Sequence, residues 1–460
     1  MALIQSISGI RGTLGGKPGE GLTPPDVLKF TRAFASLLSG KSEKGPIIMG
    51  RDARVSGPLV SCLVSATLNS LGWKVIDLGL TTTPTVELAV IQEKASGGIM
   101  ISASHNPREW NALKLLNSAG EFLSQKDGMT LLDLAARDKT PFVNSDKLGE
   151  TVSDESYLQK HIDLVVHHPL VDIKAIQKKN FHVIADVINS SGARYLPPLL
   201  TALGVREFSL LFGEMDGKFA HNPEPLPENL NALANEVKKN NADLGIAVDP
   251  DVDRLCFVCE DGSMFGEEYT LVAIADYVLG KRKGNTVSNL SSTQALKDIT
   301  LKHGGSYFPA AVGEVHVVAR MKEVHAVIGG EGNGGVILPD LHYGRDALIG
   351  IALFLSLLAH SKKGMKALRG TYPDYFISKN KIGLSPNVNP QKLFETIRTK
   401  YKNQPANTED GLRLEFDGDW VHLRTSNTEP IIRIYAESRF ATTAGNIARR
   451  IMQDIQEFSR

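Results

Sequence analysis

Apolar and polar positions alternate along most of the chain in a way that predicts strands separated by helices. Short runs rich in β-branched residues are bounded by turn-forming residues, and the stretches between them are helix-like. The predicted buried strands are residues 46–50, 73–79, 97–103, 181–189, 243–249, 286–290 and 325–330. This strand–helix–strand rhythm predicts mainly parallel sheets with helices on their faces.

The chain beyond residue 370 follows a different pattern. A segment at 370–382 leads into a helix-like stretch at 390–403, three strand-like pieces and a last helix at 444–458. The strand-like pieces are residues 411–416, 420–426 and 431–438. This order of elements predicts a small α+β domain with an antiparallel sheet.

Length and rhythm together predict four domains. A chain of 460 residues is too long to fold around a single core. The changes of pattern place domain boundaries near residues 150, 255 and 370. The predicted domains are residues 1–150, 151–255, 256–370 and 371–460.

Composition and charge narrow the possible functions. The chain has 51 basic and 51 acidic residues, and without a basic field it is not expected to bind nucleic acid. Its most apolar stretch, residues 347–360, is too short to span a bilayer and is interpreted as a buried helix. The first residues lack the basic and apolar regions of a secretory signal. We therefore expect a protein with no membrane partner.

The cysteines indicate a reducing compartment. Cys62, Cys256 and Cys259 are too few for a disulfide framework, which fits a cytoplasmic protein. Cys256 and Cys259 lie three apart in an apolar run, where strand residues at that spacing face opposite sides. We interpret this pair as structural, with a redox or zinc site as the alternative.

The first chemical motif, residues 101–115, has a serine at the end of a predicted strand. Ser104 follows small residues and lies in a turn with Asn106 and Pro107. Ligands of α/β sheets bind at the carboxyl ends of parallel strands, and His105 is a candidate base for activating a serine. The absence of a GxSxG elbow disfavours hydrolase chemistry. An exposed turn without chemistry is the alternative.

The second motif has three aspartates within residues 248–254. Asp249, Asp251 and Asp253 alternate after an apolar strand, and Arg254 follows them. Alternate residues of an extended chain share a face, so the three carboxylates are predicted to converge. Like charges at close range need a counter-cation, and carboxylate oxygens suit Mg²⁺. A polar turn after a strand is the alternative.

The third motif is a glycine-rich loop, residues 329–335, which follows an apolar strand. Its glycines flank Glu331 and Asn333 and allow the backbone to approach a ligand closely. The two polar side chains offer acceptors and donors suited to sugar hydroxyls. A flexible connection without a ligand is the alternative.

The fourth motif, residues 424–433, combines two arginines with short hydrogen-bonding side chains. Guanidinium groups together with hydroxyl and backbone donors are a common way to bind phosphate. The motif therefore predicts a phosphate-binding loop, with a solvated charged turn as the alternative. Its polar members are Arg424, Ser426, Asn427, Thr428 and Arg433.

Together and in this order, the four motifs resemble the α-D-phosphohexomutase family over nearly the whole chain. The resemblance implies an α/β fold of three related doubly wound mixed-sheet domains and a C-terminal α+β domain around a central cleft. It implies an intramolecular phosphotransferase with a phosphoserine at Ser104 and one Mg²⁺ per chain. The implied metal ligands are Ser104, Asp249, Asp251 and Asp253.

The same resemblance implies roles for the remaining residues. Arg11, His105 and Lys114 are implied to be catalytic together with Ser104, and Arg51 is a weaker match. The implied substrate-binding residues are Arg254, Glu331, Asn333, Arg424, Ser426, Asn427, Thr428 and Arg433.

The glycine-rich loop departs from the pattern of many relatives. Where they have a serine and a terminal histidine, this chain has Asn333 and Gly335. The proton handling would then be shared by Lys114, Arg11 and His105.

The opening residues and the form of the glycine-rich loop look most like phosphoglucosamine mutases of archaeal type. The resemblance therefore implies conversion of glucosamine 6-phosphate to the 1-phosphate through a hexose 1,6-bisphosphate. Glucose or mannose phosphate is the alternative substrate. A metal-dependent sugar phosphatase and a sugar-phosphate-binding protein are the alternatives outside the mutases.

Overall fold

The computed structural model describes residues 2–6, 9–40, 44–137, 140–384, 388–426 and 431–458. Within these ranges the chain forms four β-sheets of seven, four, four and five strands. The second and third sheets share one large apolar core, whereas the first and fourth sheets pack against helices in cores of their own. Among the described helices, none combines the length and apolar character that a membrane crossing requires.

The first sheet is mixed. Its strands are β1 (Leu3–Ser6), β2 (Gly9–Thr13), β3 (Ile47–Arg51), β4 (Val75–Leu80), β5 (Gly97–Ile101), β6 (Trp110–Leu116) and β7 (Thr151–Ser153). Its helices are α1 (Pro24–Ser39), α2 (Gly57–Ser70), α3 (Thr83–Gln92) and α4 (Gln125–Arg137). The strand order is β1-β2-β6-β5-β3-β4-β7, with parallel pairing from β5 to β7 and antiparallel pairing elsewhere.

The second sheet has three parallel strands and one antiparallel edge strand. Its strands are β8 (His182–Asp186), β9 (Glu207–Leu211), β10 (Leu244–Val248) and β11 (Leu255–Cys259). The helices of this part are α5 (Tyr157–Val166), α6 (Ile173–Lys179), α7 (Gly192–Leu203) and α8 (Asn231–Lys239). The order is β11-β10-β8-β9, and β11 is the antiparallel strand. The predicted boundary near residue 255 thus falls at the start of a strand of this sheet.

The two cysteines of β11 lie in different apolar clusters. Cys256 packs with the cluster under α8, whereas Cys259 packs with the core shared by the second and third sheets. Both side chains are buried and neither forms a disulfide. The opposite facing predicted from the strand spacing is confirmed.

The third sheet repeats the parallel arrangement. Its strands are β12 (Asn285–Asn289), β13 (Tyr307–Ala310), β14 (Ala326–Glu331) and β15 (Gly335–Ile337). Its helices are α9 (Glu267–Lys281), α10 (Ala295–Lys302), α11 (Glu314–Glu323), α12 (Ala347–His360) and α13 (Met365–Arg369). The order is β13-β12-β14-β15, with β15 antiparallel. The apolar segment predicted as a buried helix is α12, and it is buried along most of its length.

The fourth sheet is antiparallel throughout. Its strands are β16 (Phe376–Gly383), β17 (Ala406–Asn407), β18 (Leu412–Phe416), β19 (Asp419–Thr425) and β20 (Ile431–Ser438). Its helices are α14 (Pro390–Lys400) and α15 (Ala441–Phe458). The order is β16-β20-β19-β18-β17. The predicted combination of mixed α/β sheets and a C-terminal α+β unit is therefore confirmed.

Three loops meet where strands of the first three sheets end. They follow β5, β10 and β14, whose carboxyl ends carry the first three motifs. Backbone hydrogen bonds join the segments after β10 and β14 to each other and the loop after β10 to neighbouring helices. The bonds are Thr83 N–H to the Asp251 carbonyl (3.0 Å), Leu255 N–H to the Gly334 carbonyl (3.1 Å) and Ala347 N–H to the Val252 carbonyl (3.2 Å).

Candidate active site

Ser104 lies in a tight turn after β5, with its hydroxyl directed at the second motif. Its φ of +48° is in the left-handed region, which costs a non-glycine residue about 1–3 kcal/mol. The Ser104 N–H donates to Ser102 Oγ (2.9 Å), and Ser104 Oγ donates to Asp249 Oδ2 (2.6 Å). Because Ser104 is only 6% exposed, the alternative of a solvent-exposed turn does not apply.

A buried arginine, Arg54, supports this turn. Its guanidinium donates to four backbone carbonyls of the serine loop, and Nε donates to Asp52 Oδ2 (3.1 Å). The four acceptors are the carbonyls of Ser104 (2.5 Å), Asn106 (2.7 Å), Pro107 (2.6 Å) and Trp110 (2.9 Å). The sequence pattern indicated Arg51 in the same segment instead. Arg51 donates to the Asp52 carbonyl (3.2 Å), whereas Arg54, which no sequence pattern indicated, supports the turn.

The carboxylate trio of Asp249, Asp251 and Asp253 converges, but not for the reason expected. Carboxylate oxygens of the three residues lie within 4.8 Å of one another. β10 ends at Val248, and the trio lies in a turn in which Asp249 Oδ1 accepts from the N–H groups of Asp253 (3.0 Å) and Arg254 (3.1 Å). The expectation of an extended chain with alternating side chains was therefore wrong, because the chain turns back at this point.

The trio fits a divalent cation. All three side chains are buried, and Oδ1 of Asp251 and of Asp253 has no hydrogen-bond donor within the described part of the chain. Burial raises the pKa of Asp249 well above its usual value, and the charges of Asp253 and Asp251 raise it further. Clustered carboxylate oxygens with unused lone pairs are the donor set that Mg²⁺ prefers.

Lys114 binds the trio from β6. Its Nζ donates to Asp251 Oδ2 and to Asp253 Oδ2 (3.0 Å), and Thr83 Oγ1 also donates to Asp251. Burial alone would lower the pKa of Lys114, but Asp251 and Asp253 outweigh burial and raise it. Lys114 is therefore held as a protonated cation in this arrangement and can act as a hydrogen-bond donor.

His105 and Arg11 complete the surroundings of Ser104. His105 Nδ1 lies 3.4 Å from Ser104 Oγ, and Arg11 Nη1 lies 3.5 Å from Asn106 Oδ1. Burial lowers the pKa of His105 well below its usual value, and the guanidinium groups of Arg254 and Arg11 lower it further. Burial and the neighbouring guanidinium groups thus favour the neutral imidazole of His105.

Three guanidinium groups are close enough to affect one another. The pKa of Arg11 is lowered by burial and then by the charges of Arg254 and Arg345. Arg254 pairs with Glu224 Oε1 (3.0 Å) and is mostly buried. Because like charges at close range favour an anion between them, this arrangement suits a phosphate group next to the trio.

Glu331 in the sugar loop, residues 329–335, is held by four donors. Its Oε1 accepts from Asn289 Nδ2 (2.9 Å) and Gly313 N–H (3.1 Å), and its Oε2 accepts from Arg345 Nη1 (2.8 Å) and Asn333 Nδ2 (3.3 Å). Burial alone would raise the pKa of Glu331, but the charge of Arg345 together with the hydrogen bond from Asn289 and the charge of Arg254 lowers it. The lone pairs of this carboxylate are filled, so any further donor would have to displace one of the four.

Two glycines of the sugar loop lie against other parts of the chain. Gly334 has a φ of +87°, and a Cβ there would lie 2.2 Å from the carbonyl oxygen of Leu255. A Cβ at Gly332 would lie 2.0 Å from a carboxylate oxygen of Glu268. The expected close approach of backbone is found, but at these two positions the approaching group belongs to the chain.

Arg345 was not anticipated, although it touches two of the motifs. Its guanidinium binds Asp253 Oδ2 and Glu331 Oε2, both at 2.8 Å, and its Nε lies 2.9 Å from Glu314 Oε2. It lies ten positions beyond the last glycine of the sugar loop, and no local pattern marks it. Only the tertiary fold brings it to the trio.

The fourth motif lies on the sheet of the last domain. Arg424 and Arg433 are directly opposite on β19 and β20, and Lys381 is opposite Arg433 on β16. This cation row (Lys381, Arg433, Arg424) shares one face of the sheet, because directly paired residues point the same way. Arg424 Nε lies 3.5 Å from Asp410 Oδ2, and Ser426 N–H donates to the Ile431 carbonyl (3.0 Å). The predicted Asn427 and Thr428 lie outside the described residues.

The described contacts bring the first three motifs into one cluster. Ser104, His105, Arg11 and Lys114 meet the trio and Arg254, and Arg345 links the trio to Glu331. The sheet with the cation row contacts the third domain. These contacts include His422 Nδ1 to Ser291 Oγ (2.8 Å), Gln294 N–H to Glu437 Oε1 (3.0 Å) and Val312 N–H to Asp410 Oδ2 (3.0 Å).

Comparison with known proteins agrees with this arrangement. Four domain profiles of the phosphoglucomutase/phosphomannomutase family match along the chain. They are alpha/beta/alpha domain I at residues 3–141, domain II at 159–262, domain III at 266–375 and the C-terminal domain at 391–453. The chain belongs to this family.

Relatives with named activities match this chain over nearly its whole length. A phosphoglucomutase/phosphomannomutase of Thermococcus kodakarensis is 34% identical over 93% of this chain and 94% of its own. A probable phosphoglucosamine mutase of Methanopyrus kandleri is 33% identical over 98% of both chains. These relatives support phosphohexomutase activity, which is an isomerisation by phosphoryl transfer.

A solved structure shares the fold. A phosphoglucomutase/phosphomannomutase family protein of Burkholderia thailandensis superimposes with a TM-score of 0.84 at 24% identity, covering 99% of this chain and 98% of its own. This likeness supports the four-domain fold.

Proposed function

We propose that this phosphohexomutase interconverts hexose 6- and 1-phosphates through a phosphorylated Ser104, with glucosamine 6-phosphate as its preferred substrate. The observation that carries the proposal is the 2.6 Å hydrogen bond from Ser104 Oγ to Asp249 Oδ2. It sets an alcohol nucleophile against a carboxylate trio able to hold a cation. Phosphoryl transfer depends mainly on positioning and charge neutralisation, and buried residues supply both at this point.

In the first half-reaction, the free hydroxyl of the substrate attacks the phosphorus of phospho-Ser104. A P–O bond to the sugar forms while the P–O bond to Ser104 breaks, which gives the hexose 1,6-bisphosphate. The hydroxyl loses one proton and Ser104 Oγ gains one, so the step is balanced. His105 Nδ1, 3.4 Å from this oxygen, is suited to exchange a proton there because its imidazole is neutral.

In the second half-reaction, the bisphosphate presents its other phosphate to Ser104. Ser104 Oγ attacks that phosphorus and loses its proton as the P–O bond to Ser104 forms. The P–O bond to the sugar breaks, the sugar oxygen gains one proton, and the sugar leaves as the isomeric monophosphate. Protonated Lys114 and the guanidinium groups of Arg11 and Arg254 stabilise negative charge on the transferring group. A Mg²⁺ ion held by the trio and the phosphorylated serine would add Lewis acidity at the same phosphoryl oxygens.

The phosphate that does not react is proposed to bind the last domain. Arg424, Arg433 and Ser426 offer charge and hydrogen-bond donors there, and Asn427 and Thr428 are proposed to complete the loop. Because the bisphosphate turns over between the two half-reactions, this one site must accept either phosphate of the sugar. Asn333 and Glu331 are proposed to contact the sugar between the two ends.

The preference for glucosamine phosphate is supported by the Methanopyrus relative, which is named a probable phosphoglucosamine mutase. Glucose or mannose phosphate is the second candidate, because the Thermococcus relative carries that name. The sugar meets the same loop in two orientations, so we expect discrimination at the 2-position of only about tenfold.

Two measurements test the proposal. Incubation with a hexose 1,6-bisphosphate should add the mass of one phosphoryl group to the wild type, and Ser104→Ala should stay unmodified. Coupled assays should give the highest kcat/KM with glucosamine 6-phosphate, no steady release of inorganic phosphate, and loss of activity in chelator that Mg²⁺ restores. Phosphate release as the main reaction would indicate a phosphatase, and binding without turnover would indicate a binding protein.

A further inference from the structure

We propose that Arg345 is a positioning residue that couples the carboxylate trio to the sugar loop, and that residue 335 is glycine to leave room for it. This inference rests on the proposed function for its effect on turnover. Its structural part, the dependence of Gly335 on Arg345, does not.

The contacts of Arg345 join two different domains. Nη2 donates to Asp253 Oδ2 and Nη1 donates to Glu331 Oε2, both at 2.8 Å. The Arg345 side chain is 9% exposed, and those of Asp253 and Glu331 are 1% and 5% exposed. Hydrogen bonds between charged groups in such a dry setting are strong and fix the geometry of both partners.

Glu314 at the start of α11 fixes the arginine from its other side. Its Oε2 lies 2.9 Å from Arg345 Nε, and its Oε1 accepts from the Arg345 backbone N–H (3.2 Å). One guanidinium is therefore surrounded by three buried carboxylates, one from the trio, one from the sugar loop and one from α11. A displacement of any one of them changes the contacts of the other two.

The position of Asp253 shows how the coupling would act. Its Oδ2 is occupied by Arg345 and by Lys114 Nζ (3.0 Å), whereas its Oδ1 has no donor among the described residues. Arg345 thus orients the carboxylate so that one oxygen remains for a cation. Because the same guanidinium holds Glu331, cation binding and the geometry of the sugar loop depend on a common group.

Gly335 carries the second, independent observation. An ideal Cβ at this position would lie 2.2 Å from Cδ and 3.0 Å from Cγ of Arg345. The backbone of Gly335 is not in the left-handed region, so an L-residue is excluded there only by its neighbours. At Gly334, in contrast, a φ of +87° and the Leu255 carbonyl at 2.2 Å exclude a side chain whatever residue 345 is.

This contrast provides a matched double-mutant cycle. Gly335→Ala should lower Tm and reduce kcat/KM by about tenfold or more in the wild type, because overpacking moves Arg345. In an Arg345→Ala background, Gly335→Ala should have little further effect on Tm, because the clashing atoms are gone. Gly334→Ala is the control and should lower Tm in both backgrounds. Equal losses for Gly335→Ala in both backgrounds would overturn the inference.

The coupling itself is measured by binding. In a Ser104→Ala background, which prevents turnover, the Kd of glucose 1,6-bisphosphate is measured with saturating Mg²⁺ and with chelator. We expect Mg²⁺ to tighten binding by about tenfold, and Arg345→Met to remove most of this factor, with Arg345→Lys restoring part of it. A residue with only a structural role would lower Tm and leave the Mg²⁺ factor unchanged, which would overturn the proposal.

Failure of the proposed function gives a different result. A protein without mutase activity would show no isomerisation in the wild type, whereas the Tm cycle of Gly335 and Arg345 would still report their steric dependence. If the wild type had mutase activity but Gly335→Ala lowered Tm equally in both backgrounds, the mutase proposal would stand and the proposal about Arg345 and Gly335 would be wrong.

Discussion

The cluster around Ser104 and the cation row of the last domain hold their charges in different ways. In the first region Lys114 is paired with Asp251 and Asp253, and Arg254 is paired with Glu224. In the second region three cations stand side by side on one sheet face, and the carboxylate contact described there is a 3.5 Å approach of Asp410 to Arg424. Like charges directly opposite on a sheet destabilise it unless an anion lies between them.

This difference indicates a division of labour. Charges that are paired and buried before substrate arrives are preorganised for chemistry, and such groups act mainly on the transition state. Cations with few carboxylate contacts among the described residues are suited to an anionic ligand, and their contribution would then be mainly to binding. Substitutions in the first region should therefore lower kcat, and substitutions in the second should raise KM.

The largest effect is expected from Ser104→Ala. The change removes the proposed nucleophile and the donor to Asp249 Oδ2, so kcat should fall by about 10³-fold or more while the fold is kept. Steady-state kinetics with glucosamine 6-phosphate measure kcat, and a circular dichroism spectrum shows whether the fold is kept. Ser65→Ala, on the face of α2, is the matched control and should keep normal activity. A Ser104→Ala enzyme with more than about a tenth of normal activity would contradict the phosphoserine mechanism.

The next effect separates two arginines of one segment. Arg54→Met leaves Asp52 buried without its partner and frees four carbonyls, so it should destabilise the fold by about 3–5 kcal/mol. The serine loop should also lose its shape, so kcat should fall even where the protein is folded. Arg51→Met, which removes a single donor to a backbone carbonyl, should cost far less in both measurements. Urea unfolding and steady-state kinetics of the two variants measure these effects. Equal losses of stability and of kcat in both variants would contradict the supporting role assigned to Arg54.

Local sequence patterns predicted which residues form the cluster around Ser104, but not the backbone that brings them together. The trio was found because its members lie within five positions of one another, and the serine because it follows an apolar strand. The reason for the convergence was wrong, since Asp249 closes a turn through the N–H groups of Asp253 and Arg254. A local pattern thus identified the residues without revealing the backbone that unites them.

Residues whose contacts are distant in sequence could not be identified from local patterns. Arg345 reaches Asp253 of the second domain over 92 positions, and Arg54 reaches the Ser104 carbonyl within the first domain over 50. Such contacts arise only when distant segments of the chain pack together. The alternation of strands and helices, in contrast, depends on local burial, and it predicted the mixed sheets and the last antiparallel sheet.

A smaller effect is expected in the second region. Arg433→Met removes the central member of the cation row, so the KM for the sugar phosphate should rise by about 10–100-fold with little change in kcat. Arg398→Met, on the exposed face of α14, is the matched control. Added salt should raise the KM of the wild type more than that of Arg433→Met. A fall in kcat at unchanged KM would show that Arg433 acts on the transition state, and it would contradict the difference proposed between the two regions.

The smallest effect at neutral pH is on stability. It concerns how two buried histidines make the stability depend on pH. His342 lies between Asp346 and Glu87, where the first and third domains meet. Burial alone would lower the pKa of His342, but the two carboxylates raise it to about 10. In the last domain, burial lowers the pKa of His422 to about 4, and its ring contacts Ser291 Oγ (2.8 Å) in the third domain.

The signs of the two shifts are opposite. A raised pKa stabilises the fold below the unfolded value near 6.5, and this contribution is lost as pH rises through about 10. A lowered histidine pKa stabilises the fold above about 6.5, and this contribution is lost as pH falls through about 4. Each histidine contributes at most about 1.4 kcal/mol per pH unit within its window.

Hydrogen exchange should therefore show alkaline opening around His342 and acid opening at the contact of the last two domains. His342→Gln should flatten the alkaline slope and His422→Gln the acid slope, and the exposed His360→Gln should change neither. If both slopes arose in the same segments, the two histidine contacts would not respond separately to pH, which would contradict this prediction.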